Sequence, residues 1–246
     1  MSENILVYGA SSAIVQAVMR HFAKEGCSFV LVARNSGRLK SVAQDLQTRG
    51  AQRVETLVAD LNDFSGHDGL WQAARTQLGT IHRVIMGHGS LGSQELSEKD
   101  YHTAEMEFRT NLLSCISILT PIANHMEADG MGQIAVISSV AGDRGRKSNY
   151  IYGSAKAALS TYLSGLRQRL SKAGVSVLTI KPGFVDTPMT SEVDKNALFA
   201  SPEQVGSDIY RAMKKGQSVL YTPRFWLLIM TVIRLIPEFI FKRLPL

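Results

Sequence analysis

Short apolar runs alternate with longer amphipathic segments along the chain. A strand buried on both faces is apolar throughout, whereas a surface helix is apolar on one side, so the runs predict strands and the longer segments predict helices. The predicted strands are 5–8, 28–33, 54–59, 83–86, 133–137, 175–180 and 219–221. The predicted helices are 12–24, 36–49, 66–78, a long one over about 98–125, one opening near Tyr150 and one beginning at Ser201-Pro202-Glu203.

This alternation of strands and helices predicts an α/β fold. We expect a single doubly wound Rossmann domain over residues 1–222, with a central parallel sheet of about seven strands and helices on both faces. Residues 223–246 are expected to form an apolar and amphipathic C-terminal tail. No internal repeat or low-complexity linker interrupts the chain.

The composition narrows the class of protein without naming a function. The chain has 246 residues, 45% of them hydrophobic and 20% charged, and its net charge of +6 favours an anionic ligand or a membrane surface. No arginine-rich run with interleaved aromatic residues is present, which argues against nucleic acid binding. Cys27 and Cys115 lack metal-site spacing, and the N-terminus leads directly into a strand without a secretory signal, so we expect a cytoplasmic protein without a metal.

A serine pair and a tyrosine–lysine pair carry the candidate chemistry. Ser138 and Ser139 follow the predicted strand 133–137, and Tyr152 and Lys156 lie on the next predicted helix. Their i, i+4 spacing puts the phenol and the ammonium on one helix face, where the cation favours the ionised phenol and makes it a better proton-transfer group. Taken alone, Tyr-x-x-x-Lys is more often a surface coincidence, and either serine could supply the hydroxyl.

The first three strands end in residues suited to a nucleotide. Gly9-Ala10-Ser11-Ser12-Ala13-Ile14 is a strand-to-helix turn whose free N–H groups can hold a phosphate, although the same sequence fits a capped turn without a ligand. Arg34 favours NADP(H) over NAD(H), because an arginine there accepts a 2′-phosphate, unless it is only a solvated cation. Asp60 either accepts a hydrogen bond from adenine or caps a turn.

Over about residues 4–222 the chain resembles the short-chain dehydrogenases/reductases, whose motifs occur here in the family's order. The family's phosphate turn corresponds to Gly9–Ile14, its adenine-side aspartate to Asp60, and the asparagine of its fourth helix to Asn111. Its catalytic residues correspond to Ser139, Tyr152 and Lys156, and its nicotinamide block corresponds to Pro182–Thr187. The family's spacing of thirteen residues to the tyrosine favours Ser139 over Ser138. The cofactor contacts that the resemblance implies are Gly9, Ser11, Ser12, Ala13, Ile14, Arg34, Asp60, Leu61, Gly87, Gly89, Tyr152, Lys156, Pro182, Gly183, Val185 and Thr187.

The resemblance implies an NADPH-dependent carbonyl reductase that forms a homo-oligomer. The nicotinamide would deliver a hydride to a carbonyl carbon, while Tyr152 protonates the oxygen and Ser139 hydrogen-bonds it. Lys156 would bond the nicotinamide ribose and lower the pKa of Tyr152. Asn111 would hold a water that joins Lys156 to solvent.

Two cofactor turns depart from the family's pattern. Tyr8, Ala13 and Val15 stand where the family has a threonine and two glycines; we expect Ala13 to permit the backbone approach and Val15 to pack against the sheet. The usual Asn-Asn-Ala-Gly has become Met86-Gly87-His88-Gly89, so the asparagine that braces this turn is missing. His88 either reaches the ligands or is a packed or solvated loop residue. The altered turns keep a non-catalytic NADP(H)-binding sensor as an alternative.

The tail over residues 223–246 is apolar, but its longest uninterrupted run, 225–230, is far shorter than the ~20 residues of a spanning helix. A polar stripe of Thr231, Arg234, Glu238 and Lys242, together with Trp226 and cations at 224, 242 and 243, suits a helix lying on the inner face of the cell membrane. The alternative is a dimerisation or lid helix packed on protein. Pro237 is expected to kink or break the helix.

Arg144, Arg146 and Lys147, between Ser139 and Tyr152, either hold a substrate phosphate or are solvated. These cations, the glycine turns and the tail look similar to the bacterial decaprenylphosphoryl-2-keto-ribose reductases of the family. Such enzymes reduce a polyprenyl-phosphate-linked keto-pentose for cell-envelope polysaccharides and work with a separate flavin oxidase. The alternative is a reductase of soluble or acyl-linked ketones with the tail in oligomer contacts. The family's mobile substrate lid falls at 188–200, whose sequence names no substrate.

Overall fold

The computed structural model describes residues 3–191 and 194–244. Within these residues, seven parallel strands form one sheet in the order β3-β2-β1-β4-β5-β6-β7. The strands are β1 Asn4–Tyr8, β2 Ser28–Ala33, β3 Arg53–Val58, β4 Arg83–Met86, β5 Gly132–Ile137, β6 Val175–Pro182 and β7 Val219–Thr222. The predicted α/β class and single Rossmann-like domain are confirmed.

Helices cover both faces of the sheet. They are α1 Ala13–Ala23, α2 Ser36–Thr48, α3 His67–Leu78, α4 Gln94–Lys99, α5 Tyr101–Phe108, α6 Ser114–Asp129, α7 Tyr150–Leu170, α8 Pro202–Lys214, α9 Phe225–Leu235 and α10 Glu238–Phe241. The strands supply apolar side chains to both faces because successive residues point to opposite sides. In β1, Ile5 and Val7 join the core under α1, α2 and α8, whereas Leu6 and Tyr8 join the core under α3, α6 and α7.

The prediction of one long helix over about 98–125 was wrong. The helical region begins at Gln94 and is interrupted at Asp100, whose carboxylate accepts the backbone N–H groups of His102 and Thr103 and so starts a new helix. A π-helical turn at Arg109–Leu113 separates α5 from α6. These local features are invisible to the apolar periodicity.

The tail forms two helices, and the predicted break at Pro237 is confirmed: α9 ends at Leu235 and α10 starts at Glu238. On α9, Trp226 and Met230 are buried against the body of the protein. The opposite side of α9, two residues of α10 and the segment after α10 expose large apolar side chains: Phe225, Leu227, Leu228, Val232, Leu235, Phe239, Ile240 and Leu244. Among the described residues, no helix has the length and apolar content needed to cross a membrane.

Candidate active site

A cleft of about 710 Å³ opens at the carboxyl ends of the strands, the edge at which open α/β sheets bind their ligands. Every residue that the sequence predicted for the cofactor or for catalysis lies on its wall. The cleft is also lined by Arg146, one of the candidate phosphate ligands, by Trp226 of the tail, and by residues that no motif indicated, among them Arg38, Asn62, Ser90, Glu107 and Asn149.

Two glycines bring the loop after β5 against α7. A Cβ on Gly142 would lie 2.7 Å from the Ala157 nitrogen, and a Cβ on Gly153 would lie 2.9 Å from the Ala141 carbonyl oxygen. Since real Cβ atoms do not approach backbone atoms this closely, side chains at these two positions would push the loop away from the helix. The close approach holds Ser139 beside the helix face that carries the predicted phenol and ammonium.

The two serines at the end of β5 differ in what their hydroxyl groups contact. Ser138 is buried and its Oγ bonds the Lys156 carbonyl oxygen (3.0 Å) and the Ser160 hydroxyl (2.8 Å). Ser139 is partly exposed to the cleft, and its Oγ accepts the Ala141 backbone N–H at 3.1 Å. Among the described residues, no group accepts the Ser139 hydroxyl proton, so this proton is available to a ligand in the cleft.

Tyr152 and Lys156 are adjacent on α7, with the Lys156 ammonium 5.7 Å from the centre of the Tyr152 ring. Lys156 is only 3% exposed, and its Nζ donates to the Ile137 carbonyl oxygen at 3.2 Å. An ammonium has three protons to donate, so two remain for ligands in the cleft. Among the described residues, no hydrogen bond engages the Tyr152 hydroxyl.

Asn111 is fully buried in the π-helical turn and is held by its neighbours. Its Nδ2 donates to Glu107 Oε2 at 3.0 Å, and its Oδ1 accepts the Ser90 backbone N–H at 3.2 Å. A Cβ on Gly89 would lie 2.8 Å from Asn111 Oδ1 and 3.5 Å from Lys156 Nζ, so glycine keeps the space between these two groups open. This space is suited to the water that the resemblance implies.

His88 is partly buried at the cleft, and its ring is bonded to the protein. Its Nε2 lies 2.7 Å from the Ser114 hydroxyl, which itself donates to the Thr110 carbonyl oxygen, so Nε2 carries the proton. Burial, aided by the charge of Lys156, lowers the pKa of His88 to about 3. A neutral imidazole therefore bonds the turn after β4 to the start of α6.

The turn after β1 fits a dinucleotide pyrophosphate. Gly9 has a φ of +76°, and a Cβ there would lie 2.4 Å from the His88 nitrogen. Ser12, at the N-cap of α1, makes no capping hydrogen bond to the helix, and the first turn of α1 has no acidic residue. The N-terminus of α1 and a free hydroxyl therefore face the cleft. Val15 is buried against Gly87, in agreement with its predicted packing role.

Two exposed arginines stand at the β2 end of the cleft. Arg34 follows β2, and Arg38 lies on the first turn of α2 after Asn35, which caps that helix through its side chain. Asp60 accepts the Asn62 backbone N–H at 3.0 Å with one carboxylate oxygen, so it caps a turn and still presents its second oxygen. The two interpretations of Asp60 are compatible.

The segment after β6 forms the opposite wall, and the tail supports it. Gly183 donates its N–H to the Thr222 carbonyl oxygen at 3.1 Å, and a Cβ on Gly183 would lie 1.9 Å from Trp226 Nε1. Trp226 also makes an edge-to-face contact with Phe184, with ring centres 5.6 Å apart. Trp226 was predicted to lie in a membrane interface, but it is 3% exposed and forms part of the cleft wall.

The guanidinium of Arg144 is bonded to the tail, which neither of the two alternatives from the sequence anticipated. Its guanidinium donates to the carbonyl oxygens of Ile233 (2.7 Å) and Ile236 (2.6 Å) at the end of α9 and pairs with Glu238 at 2.8 Å. Its Cζ also lies 3.7 Å from the centre of the Phe241 ring. Arg144 is therefore the C-terminal cap of α9 and fastens the tail to the loop that carries Ser139.

The fold and this constellation define a class of protein: an oxidoreductase that binds a nicotinamide dinucleotide and transfers a hydride. Residues 3–198 match the family described as short chain dehydrogenase. An uncharacterized oxidoreductase of Mycobacterium tuberculosis is 35% identical over 98% of this chain and 96% of its own length. An uncharacterized oxidoreductase of Streptomyces coelicolor is 31% identical over 98% of this chain and 95% of its own.

A solved structure of actinorhodin polyketide ketoreductase with NADPH is similar in fold, with a TM-score of 0.82 and 20% identity over 92% of this chain and 97% of that one. The chain therefore belongs to the short-chain dehydrogenase family and is an NAD(P)-dependent oxidoreductase. The narrower resemblance to the keto-ribose reductases has no counterpart among these relatives.

Proposed function

We propose that the protein is an NADPH-dependent carbonyl reductase in which Ser139, Tyr152, Lys156 and Asn111 act together. The observation that carries the proposal is the buried Lys156 ammonium beside Tyr152, whose hydroxyl bonds no group of residues 3–191 and 194–244, in a cleft that also contains the glycine turn after β1. Bound there, a reduced nicotinamide supplies the hydride. Arg34 and Arg38 favour NADPH over NADH because they present two cations where a 2′-phosphate would lie.

The protein's residues divide the proton chemistry among themselves. Ser139 donates a hydrogen bond to the carbonyl oxygen and orients it, and the Tyr152 hydroxyl gives that oxygen the proton that completes the alcohol. Lys156 stabilises the phenolate that remains, since its ammonium lies next to the Tyr152 ring. Asn111 and Lys156 hold between them the water through which the tyrosine regains a proton.

NADPH oxidation at 340 nm against a panel of ketones tests this assignment. We expect turnover with at least one ketone and a clear preference for NADPH over NADH. A protein that binds NADPH but oxidises it with no ketone of the panel, lipid-linked ketones included, would be the sensor that the altered glycine turns left open.

We further propose that the substrate is lipid-linked, as a polyprenyl-phosphate keto-pentose would be, and that the tail lies on a lipid surface. Leu228, Val232 and Leu235 are between 55% and 77% exposed on the outer face of α9. Exposed cations at Arg224, Lys242 and Arg243 flank this apolar face, which suits an anionic membrane. Because Trp226 on the inner face of α9 lines the cleft, a membrane under the tail would lie next to the substrate entrance. A partner flavin oxidase that produces the ketone would complete the reaction sequence.

Co-sedimentation with phosphatidylglycerol-containing vesicles tests the membrane proposal. Replacing Leu228, Val232 and Leu235 together by serine should abolish sedimentation while NADPH binding persists. The control replaces Val58, Leu96 and Tyr101, which are exposed elsewhere, by serine and should leave sedimentation unchanged. If the triple tail variant instead converts a dimer to a monomer and vesicles bind neither form, the tail covers a second copy of the chain.

A further inference from the structure

The three cations of the loop between Ser139 and α7 have different surroundings. Arg144 forms hydrogen bonds and an ion pair with the tail. Lys147 is exposed to solvent. Arg146 is partly buried on the wall of the cleft, and its Nε is inaccessible to water and has no hydrogen-bond partner among the described residues. Only Arg146 combines burial, an unpaired donor and a position in the cleft.

An unpaired, partly buried guanidinium is costly, because burial removes water and nothing replaces the lost hydrogen bonds. Burial lowers the pKa of Arg146, as expected for a cation without a counter-ion. The carboxylates of this loop and of the tail segment bonded to it have other partners. Asp143 is bonded by Lys181 at 2.5 Å and by the Tyr221 hydroxyl at 2.7 Å, and Glu238 pairs with Arg144. In the part of the chain that the structure describes, no carboxylate pairs with Arg146, so its guanidinium is available to an anionic ligand.

A second unpaired group lies on the same turn. Asn149 is at the N-cap of α7 but makes no capping hydrogen bond with its side chain, and its Oδ1 is buried without a partner. Its backbone N–H donates to the Arg146 carbonyl oxygen at 3.1 Å, which fixes the two residues in one turn. Both side chains line the cleft that contains Ser139 and Tyr152. A buried donor cation and a buried acceptor thus stand together.

The cofactor phosphates do not account for this pair. The phosphate-binding turn follows β1, and Arg34 follows β2, whereas the Arg146 turn follows β5. Strand β4 lies between β1 and β5 in the sheet. Neighbouring parallel strands are about 4.8 Å apart, so the two turns are separated by roughly 10 Å along the sheet edge. The pair lies on the side of the catalytic serine, where a substrate enters.

We propose that Arg146 and Asn149 form a substrate subsite for an oxyanion that is accompanied by a hydroxyl group. The guanidinium bonds the anion, and the Asn149 amide oxygen accepts the hydroxyl proton. This proposal rests on the carbonyl reductase function and deepens it: the substrate is a hydroxylated ketone that bears a phosphate or a carboxylate. Arg146 and Asn149 are specificity-determining residues, and the chemical step does not depend on them.

Calorimetric binding of polyols to the NADPH-saturated protein tests the subsite without turnover, because an alcohol cannot accept a hydride. The probes are ribitol 5-phosphate, gluconate and neutral ribitol, which separate phosphate, carboxylate and hydroxyl recognition. We expect ribitol 5-phosphate or gluconate to bind and ribitol to bind much more weakly. Arg146→Gln should raise the dissociation constant of the anionic probe by about tenfold to hundredfold, the range of a charge-assisted hydrogen bond. Arg146→Lys should recover part of the loss.

Matched variants separate this site from general effects of charge. Lys147→Gln removes the same charge from the exposed neighbour and should change the affinity by less than about twofold. Asn149→Ala should raise the dissociation constant of the anionic polyol by about threefold to tenfold, as expected for one neutral hydrogen bond. An anionic probe that binds no better than ribitol, or that binds Arg146→Gln and wild type equally, overturns the proposal.

Failure of the subsite proposal can be distinguished from failure of the proposed reductase function. If the anionic probe binds through Arg146 but no ketone supports NADPH oxidation, the subsite stands and the reductase assignment falls. If ketones are reduced but a phosphorylated ketose such as D-ribulose 5-phosphate shows the same KM as D-ribulose, and Arg146→Gln changes neither value, the reductase stands and the subsite falls.

Discussion

Adjacent residues of the same type acquire different roles from the atoms that they contact. The Ser138 hydroxyl bonds the Lys156 carbonyl oxygen and the Ser160 hydroxyl, whereas the Ser139 hydroxyl only accepts a hydrogen bond and can donate its proton in the cleft. Arg144 caps a helix of the tail, whereas Arg146 stands unpaired in the cleft. Sequence spacing to the tyrosine favoured Ser139, but the sequence could not distinguish the surroundings of the two arginines.

Arg34 and Arg38 both line the β2 end of the cleft, and this leads to a prediction about cofactor preference. Arg34→Ala/Arg38→Ala should raise the KM for NADPH by about tenfold to hundredfold in total, because the double change removes two exposed cations that are proposed to bind the 2′-phosphate. The KM for NADH should change little, since NADH lacks that phosphate. The control is Lys40→Ala, an exposed cation on the same helix. Equal increases in the KM for NADPH and for NADH would show that the arginines do not bind the 2′-phosphate.

His88 leads to a prediction about stability at acid pH. Its pKa in the fold is about 3, below the ordinary value of 6.5, so the unfolded chain binds a proton first as the pH falls. The stabilisation from a neutral His88 is therefore complete above pH 6.5 and is lost progressively toward pH 3. Between pH 6.5 and 5 the loss is about 2 kcal/mol.

Urea unfolding at several pH values measures this loss. His88→Gln keeps a donor for the Ser114 hydroxyl but does not titrate, so the part of the pH dependence below pH 6.5 that His88 causes should disappear. His102→Gln, at an exposed histidine, should retain the wild-type profile. A pH dependence that is the same in His88→Gln and in wild type would contradict the assignment.

At the scale of elements, the regular strands and most helices followed from apolar periodicity, but two interruptions did not. Asp100 starts a new helix by bonding two backbone N–H groups, and the π-helical turn at Arg109–Leu113 inserts an extra residue into the helical ladder. Both depend on local hydrogen bonds that leave the apolar pattern unchanged. The second interruption carries Asn111, so the element that periodicity missed is the one that positions a site residue.

The tail could be recognised from the sequence as apolar but could not be placed. Its anchoring contacts join residues far apart in the chain: Arg144 reaches Ile233 and Ile236, and Gly183 lies under Trp226. No periodicity within the tail encodes such partners. The buried side of α9 is therefore a structural finding, and only its exposed side keeps the properties that indicated a lipid surface.

Gly183 leads to a prediction about tail docking. Gly183→Ala should displace Trp226, because the added methyl group would lie 1.9 Å from the indole nitrogen, and should destabilise the protein by about 1–3 kcal/mol. Tryptophan fluorescence should shift to the red as Trp226 becomes hydrated. The matched control is Gly145→Ala, where a methyl group meets nothing within 4 Å. Equal stability and equal emission in the two variants would mean that Trp226 is not packed on Gly183.

At the scale of the whole molecule, the sheet order brings distant segments to one edge. The turns after β1, β2, β4, β5 and β6 all contribute to one cleft, and the tail closes its far wall. The resemblance to the family predicted this convergence because its motifs are in the right order. It did not predict Glu107, Arg38 or Trp226, since the side chains that meet at this edge depend on packing between elements remote in sequence.

The measurement that tests the central claim most directly is NADPH oxidation by Tyr152→Phe with the best ketone, beside NADPH binding by the same variant. Removing the proton donor should lower kcat by about 10²–10⁴-fold. NADPH should still bind, because the phosphate turn, the two arginines and Lys156 are untouched. Turnover close to wild type in Tyr152→Phe would contradict the proposal that this phenol protonates the carbonyl oxygen.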